Sequence, residues 1–151
     1  MRILLATDGS PSSDAAVDWL LAGGWPEGTE VRVISVADLA PTWAIGPQPV
    51  PPGYADSLKT ALVEQAGAAA ALAVDRLEAS SALTVTTELL HGSPRRAIVA
   101  DAEAWGADLI VIGSHGHSQF ERLLLGSVSG AVISHAPCSV ALIRPRPDSQ
   151  E

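Results

Sequence analysis

Five short apolar runs alternate with helical patterns along this chain, and few folds accommodate that alternation. The runs cover residues 3–7, 30–36, 83–90, 108–112 and 140–143. Ser10 and Pro11 open the first intervening helix, as a capping hydroxyl and a first-turn proline do. Ala15, Ala16, Trp19, Leu20 and Gly23 trace one face of it, and Gly23-Gly24 ends it. A long helix over 56–80 carries Leu58, Leu62, Ala69, Leu72, Ala73 and Leu77 near one stripe. Ser93 and Pro94 cap the third helix, which runs to about Trp105. The fourth covers 127–135 and stops at Ala136-Pro137. Strands separated by helices read as parallel, so the chain is an α/β protein with a sheet covered on both faces. Right-handed crossovers then favour a doubly wound five-stranded sheet of order 3-2-1-4-5.

In that order the winding reverses between the first and fourth strands. Ligands of open α/β sheets bind in the crevice above that reversal. Asp8 ends the first strand at one lip of the crevice, and Gly113 ends the fourth at the other. Gly113 opens the spacing Gly113-x2-Gly116-x9-Gly126-Ser127, with a second hydroxyl at Ser129. Glycines here would let the backbone approach an anion and adopt positive φ. A helix starting at Ser127 would add unpaired N–H donors and the positive end of its dipole. The topology and the glycines point to one place, a phosphate cradle in a Rossmann-like fold. Ser127 and Ser129 read both as helix caps and as phosphate ligands, and Asp8 as a turn cap or a ligand residue.

Bulk properties narrow the ligand. With 9 basic against 17 acidic residues, the formal charge is −8, which disfavours nucleic acid as a partner. An anionic ligand would be held by local dipoles, with at most one arginine. A single cysteine, Cys138, excludes an intrachain disulfide and a cysteine metal cage; it reads as a packing residue. No metal site is expected, since His115 and His117 lack the spacing of a helical zinc pair. No apolar stretch is long enough to span a bilayer, and the chain enters its first strand at once. The expectation is a cytoplasmic protein with no membrane contact and one domain over 1–146, with 147–151 as a tail. The segment 38–56, with five prolines and Trp43, reads as a lid or spacer beside the crevice. Trp19, Trp25 and Trp105 read as core or helix-packing residues, and Arg95 and Arg96 as a solvated face.

These motifs resemble the universal stress protein family, in its single-domain, ATP-binding branch. The opening run to Asp8-Gly-Ser, the fourth strand with its glycines, the Gly126-Ser127 step and His135-Ala-Pro-Cys138 all carry the likeness, which spans essentially the whole chain. The resemblance implies an adenine nucleotide, ATP foremost and with Mg²⁺ possible, in a stress-response protein. It implies phosphate contacts from Gly113, Gly116, Gly126, Ser127, Val128 and Ser129, and a ribose-side role for Asp8. It places the base against Val36, with Ala6 and Thr7 lining that side. It also implies a homodimer through the last strand, an apolar edge that invites self-pairing. The position after Gly116 is often basic in the family and here is His117, a weaker base. Arg122 is then the nearest candidate cation, and both His117 and Arg122 are counted among the expected nucleotide-binding residues. The residue after Ser129, often acidic, is Gly130.

No committed catalytic centre is visible. There is no Walker lysine loop and no nucleophile–histidine arrangement in local motifs. A receiver domain shares the topology, but its second acidic residue and its lysine are missing. The leading expectation is a regulatory nucleotide binder read by an unidentified protein partner, with at most slow ATP hydrolysis. The alternatives are a dimeric scaffold of the same fold with no nucleotide, a binder of cyclic or monophosphate nucleotides, and a hydrolase.

Overall fold

The computed structural model describes residues 1–39, 51–80, 82–117 and 125–146. Its elements run β1 (Arg2–Ala6), α1 (Pro11–Ala22), β2 (Glu30–Ala37), α2 (Tyr54–Glu78), β3 (Thr84–His91), α3 (Pro94–Trp105), β4 (Leu109–Gly113), α4 (Ser127–His135) and β5 (Ser139–Ile143). The sheet is parallel in every pairing, with order β3-β2-β1-β4-β5. The predicted architecture holds, with element ends shifted by a residue or two.

Alternation along the strands divides the core in two. Ile3, Leu5, Val31, Val33, Leu109 and Val111 face α1 and α2. Leu4, Ala6, Ile34, Ile110 and Ile112 face the opposite layer, with Ile98 and Ala102 of α3 and Val132 of α4. The central strands β1 and β4 are buried on both faces except at Arg2, as crossover helices on both sides require. Each fully buried Leu, Ile or Val contributes about 1.5–3 kcal/mol, so this two-faced core fixes the register and the strand ends.

Some expectations are corrected in detail. Along α2 the buried side chains are Ala66, Ala69, Ala70, Ala73 and Leu77, while Leu72 is exposed. Leu72 lies off that stripe in the 3.6-residue period of the helix and so points away from the sheet. Trp19 is also substantially exposed; it packs edge-on against Trp25, ring centroids 5.3 Å apart. Gly23 ends α1 without a left-handed turn, at φ −78°. What requires glycine there is Trp25, whose ring would lie 2.7 Å from an added Cβ and whose Nε1–H donates to the Leu20 carbonyl. Ser93 occupies the N-cap of α3 but makes no capping hydrogen bond. Most of the proline-rich segment, residues 40–50 with Trp43, lies outside the described residues, and so does Arg122.

On the face of α3, Arg32 of β2 bonds Asp101 at 3.1 Å and lies 4.7 Å from the centre of the Trp105 ring. Both partners are largely buried, and the pair ties α3 across the sheet. Among the described residues no helix is long and apolar enough to cross a membrane.

Candidate functional site

Parallel strands deliver their helices at one edge of the sheet, so the N-termini of α1, α3 and α4 all gather at the C-terminal ends of the strands. A cavity of about 430 Å³ opens there. Its floor is the end of β1 and β4, its flank is β2, and α3 and α4 wall the far side. One end is apolar, formed by Ala6, Ile34, Val36, Ile98 and Ile112. The other is polar and backbone-rich, formed by Gly113, Gly116, Gly126 and the first turn of α4, with Asp8 on the facing lip. Ten of the predicted site residues line this one cavity: Ala6, Thr7, Asp8, Val36, Gly113, Gly116, Gly126, Ser127, Val128 and Ser129.

The turn after β1 is held by its own side chains. Asp8 Oδ1 accepts from the Ser10 amide at 3.0 Å, and Ser10 Oγ accepts from the Ser13 amide at 3.3 Å, capping α1. The buried hydroxyls of Thr7 and Ser13 bond each other at 3.2 Å. Between Asp8 and Ser10 stands Gly9, at φ +75°, with its Cα side packed against Ala69 of α2. A side chain there would be strained twice over, by the backbone and by the helix behind it. Asp8 is therefore both a turn residue and a lining residue.

The glycines of the cradle do not serve positive φ, as expected from sequence; none of Gly113, Gly116 and Gly126 lies in the left-handed region. They serve close approach within the protein. A Cβ on Gly113 would lie 2.6 Å from the Ser12 carbonyl carbon, in the first turn of α1. One on Gly116 would lie 2.8 Å from Asp8 Oδ2, and one on Gly126 3.0 Å from the Ser114 carbonyl oxygen. These contacts bring the start of α1, the end of β4 and the start of α4 to within backbone distance of one another.

The serines are likewise reassigned. The N-cap of α4 is Gly126, at φ −59° and ψ 153°, and no side chain caps the helix. Ser127 is already the first helical residue, so neither it nor Ser129 sits where a cap must. The Gly130 amide takes the first intrahelical bond, to Gly126 at 2.9 Å. The amides of Ser127, Val128 and Ser129 precede it and have no carbonyl one turn back to meet. Ser129 is 2% exposed, and its hydroxyl donates to the carbonyls of Ser114 (2.9 Å) and Gly126 (3.1 Å). It clasps the loop after β4 to the helix.

His117 is placed differently from its expected role. It does not line the cavity; its Nε2–H donates to the Asp8 carbonyl at 2.6 Å, across the mouth. Missed from sequence were Ser13, Ile34, Pro94, Ile98, Ile112, His115 and Leu125, which also line the cavity. Pro94 and Ile98 reach it only because α3 starts above β2, a neighbourhood that no local pattern announces.

Fold and site define a doubly wound α/β protein with a glycine-walled cavity at its switch point. The sequence matches the model of the Universal stress protein family over residues 1–144, and the chain belongs to that family. A universal stress protein of Methanocaldococcus jannaschii is 33% identical over 143 residues, covering 95% of this chain and 81% of its own. One from Mycobacterium tuberculosis is 32% identical over 143 residues; the match covers 93% of this chain but spans only 47% of that longer relative. Among solved structures, the hypothetical protein MJ0577 superposes with a TM-score of 0.82 at 28% identity, covering 98% of this chain and 97% of that one. A universal stress protein in complex with cAMP gives 0.55 at 26% identity, covering 96% and 97%. An Arabidopsis thaliana family member with AMP bound shares the fold, at 0.72 and 15% identity, covering 100% and 95%.

Proposed function

We propose that this chain binds an adenine nucleotide in the switch-point cavity and acts as a regulatory protein whose occupancy a partner reads. The observation that carries the reading is the polarity of the cavity. Ala6, Ile34, Val36, Ile98 and Ile112 form an apolar end suited to a base. The uncapped first turn of α4 offers three amides and a dipole end suited to a phosphate. Asp8, between the two, faces where a ribose would lie. A relative solved with cAMP supports the choice of adenine.

ATP is the ligand we place first. Asp8 also fits Mg²⁺, since its Oδ2 is turned toward Gly116 at the cavity wall and a hard cation takes carboxylate oxygen beside phosphate oxygens and water. With the ion bound, charge on the outer phosphates would be offset. Monophosphate and cyclic forms are the second reading, because Asp8 is an anion on the lip and repels outer phosphates when no cation intervenes.

In this proposal the protein works in the cytoplasm, in a stress response, as a homodimer joined through β5. That strand is a sheet edge, with half-buried Val140, Ala141, Leu142 and Ile143. The deciding experiment is calorimetric titration of nucleotide-stripped protein with Mg·ATP, then with AMP and cyclic AMP. Saturable binding at one per chain is the expected result, and a micromolar affinity corresponds to about 8 kcal/mol. No heat with any of the three would reject nucleotide binding and favour the scaffold.

A further inference from the structure

Two loops form the lips of the crevice: the turn Thr7–Ser10 after β1 and the segment Ser114–His117 after β4. At least three contacts join them. The Ser10 hydroxyl donates to the His115 carbonyl at 3.3 Å. Gly116 lies against the Asp8 carboxylate so closely that a Cβ would meet Oδ2 at 2.8 Å. The third, His117 Nε2–H to the Asp8 carbonyl at 2.6 Å, is the shorter of these two hydrogen bonds and comes from an exposed side chain. It runs across the mouth, outside the set of cavity-lining residues, and fixes the residue whose carboxylate faces the ligand.

We infer that His117 is a positioning residue, a tie that holds the Asp8 turn against the glycine cradle and sets how long a nucleotide stays bound. The inference rests on the nucleotide reading above and adds to it a residue that acts without touching the ligand. Chain geometry supports a hinge role. The Asp8 turn pivots at Gly9, whose left-handed φ and tight packing on Ala69 give it one stable seat on the α2 side. On the crevice side the Ser10 bond and the tie both restrain it. Asp8 Oδ1 is itself committed to the Ser10 amide, so the carboxylate moves as the turn moves. Opening the tie frees the lip and the acid together.

The experiment compares His117→Leu, which cannot donate, with His117→Gln, whose terminal amide can reach the same carbonyl. The fluorescent analogue etheno-ATP is preloaded on each protein and displaced by excess ATP in stopped-flow mixing. The expected result is release about five- to tenfold faster from His117→Leu, the loss of one modest hydrogen bond, with wild-type rates restored in His117→Gln. Amide hydrogen exchange on the nucleotide-free proteins reads the tie without any ligand. Ser10, whose amide is protected by Asp8, should exchange faster in His117→Leu only, while the sheet amides stay unchanged. Equal release and equal exchange in all three proteins would overturn the tie. Faster exchange at Ser10 with no analogue binding even to the wild type would overturn the role in nucleotide retention through failure of the nucleotide reading, while leaving the tie itself demonstrated.

Discussion

The N-termini of α1 and α4 flank the same crevice and are finished in opposite ways. Helix α1 is closed by its own chain: Ser10 caps the Ser13 amide, Ser13 Oγ returns to the Ser10 carbonyl, and all of Ser10, Ser12 and Ser13 are buried. Helix α4 begins at a glycine with no capping side chain, and the residues that carry its first three amides line the cavity. A serine at the cap position uses up the helix end and makes it a wall. A glycine there leaves the end to something else. One residue choice separates a structural terminus from a binding one, and the fold sets both at the same sheet edge.

The contrast can be broken most severely at the wall. Gly113→Ala drives a Cβ to 2.6 Å from the Ser12 carbonyl carbon, backbone that cannot rotate away. Overpacking of this kind costs roughly 1–3 kcal/mol, and we expect the upper half of that range in urea unfolding. Stability within error of wild type would show that α1 can slide. At the open end, Gly126→Asp supplies the missing cap, because the φ and ψ of Gly126 suit a capping residue. It also sets an anion where the phosphate belongs. Nucleotide affinity should fall by roughly tenfold or more, about 1.4 kcal/mol. The loss of stability should be smaller than in Gly113→Ala, because the new Cβ meets the Ser114 carbonyl oxygen at 3.0 Å rather than backbone at 2.6 Å. Unchanged affinity in calorimetry would remove the phosphate from α4.

Converting the closed end gives a smaller effect of the opposite kind. Ser10→Ala should cost about 1 kcal/mol of stability, and affinity should change less than it does in Gly126→Asp. A larger loss of affinity than of stability would mean that the α1 turn binds the ligand directly. Cys138 reports on the two glycine variants. It packs on the α3–α4 face, and burial pushes its thiol above the ordinary value, against a lowering backbone hydrogen bond at Ile110 and with a further raising effect from Asp108. The thiolate fraction near neutral pH is therefore smaller than that of a free cysteine, and alkylation should be slow there and speed up only as pH rises. Gly126→Asp should leave that profile in place, whereas Gly113→Ala should shift it toward free cysteine. Rapid alkylation of the wild type at neutral pH would contradict the burial.

Much of this site was legible before folding was considered. Asp8, the three glycines and the Ser127 step lie at strand ends, and strand ends follow from local apolar runs. Other parts were not. Pro94 and Ile98 belong to the cavity because α3 crosses over β2, and His117 turns to Asp8 across a gap of over a hundred residues. The positive φ expected of the glycines fails for the same reason. Turn chemistry is local and readable, but the neighbour that forbids a Cβ on Gly113 is a helix contributed by a distant part of the chain.

By itself, the sequence determined the succession of strands and helices, the parallel order of the sheet and the position of the crevice. Periodicity and handedness are properties of short segments, and they leave few ways to wind. Only the tertiary structure decided which face of α2 is buried, which helix end stays uncapped, and which side chain ties the lips of the cavity. Those outcomes depend on distances between segments far apart in the chain, and such distances exist only once both faces of the sheet have been covered.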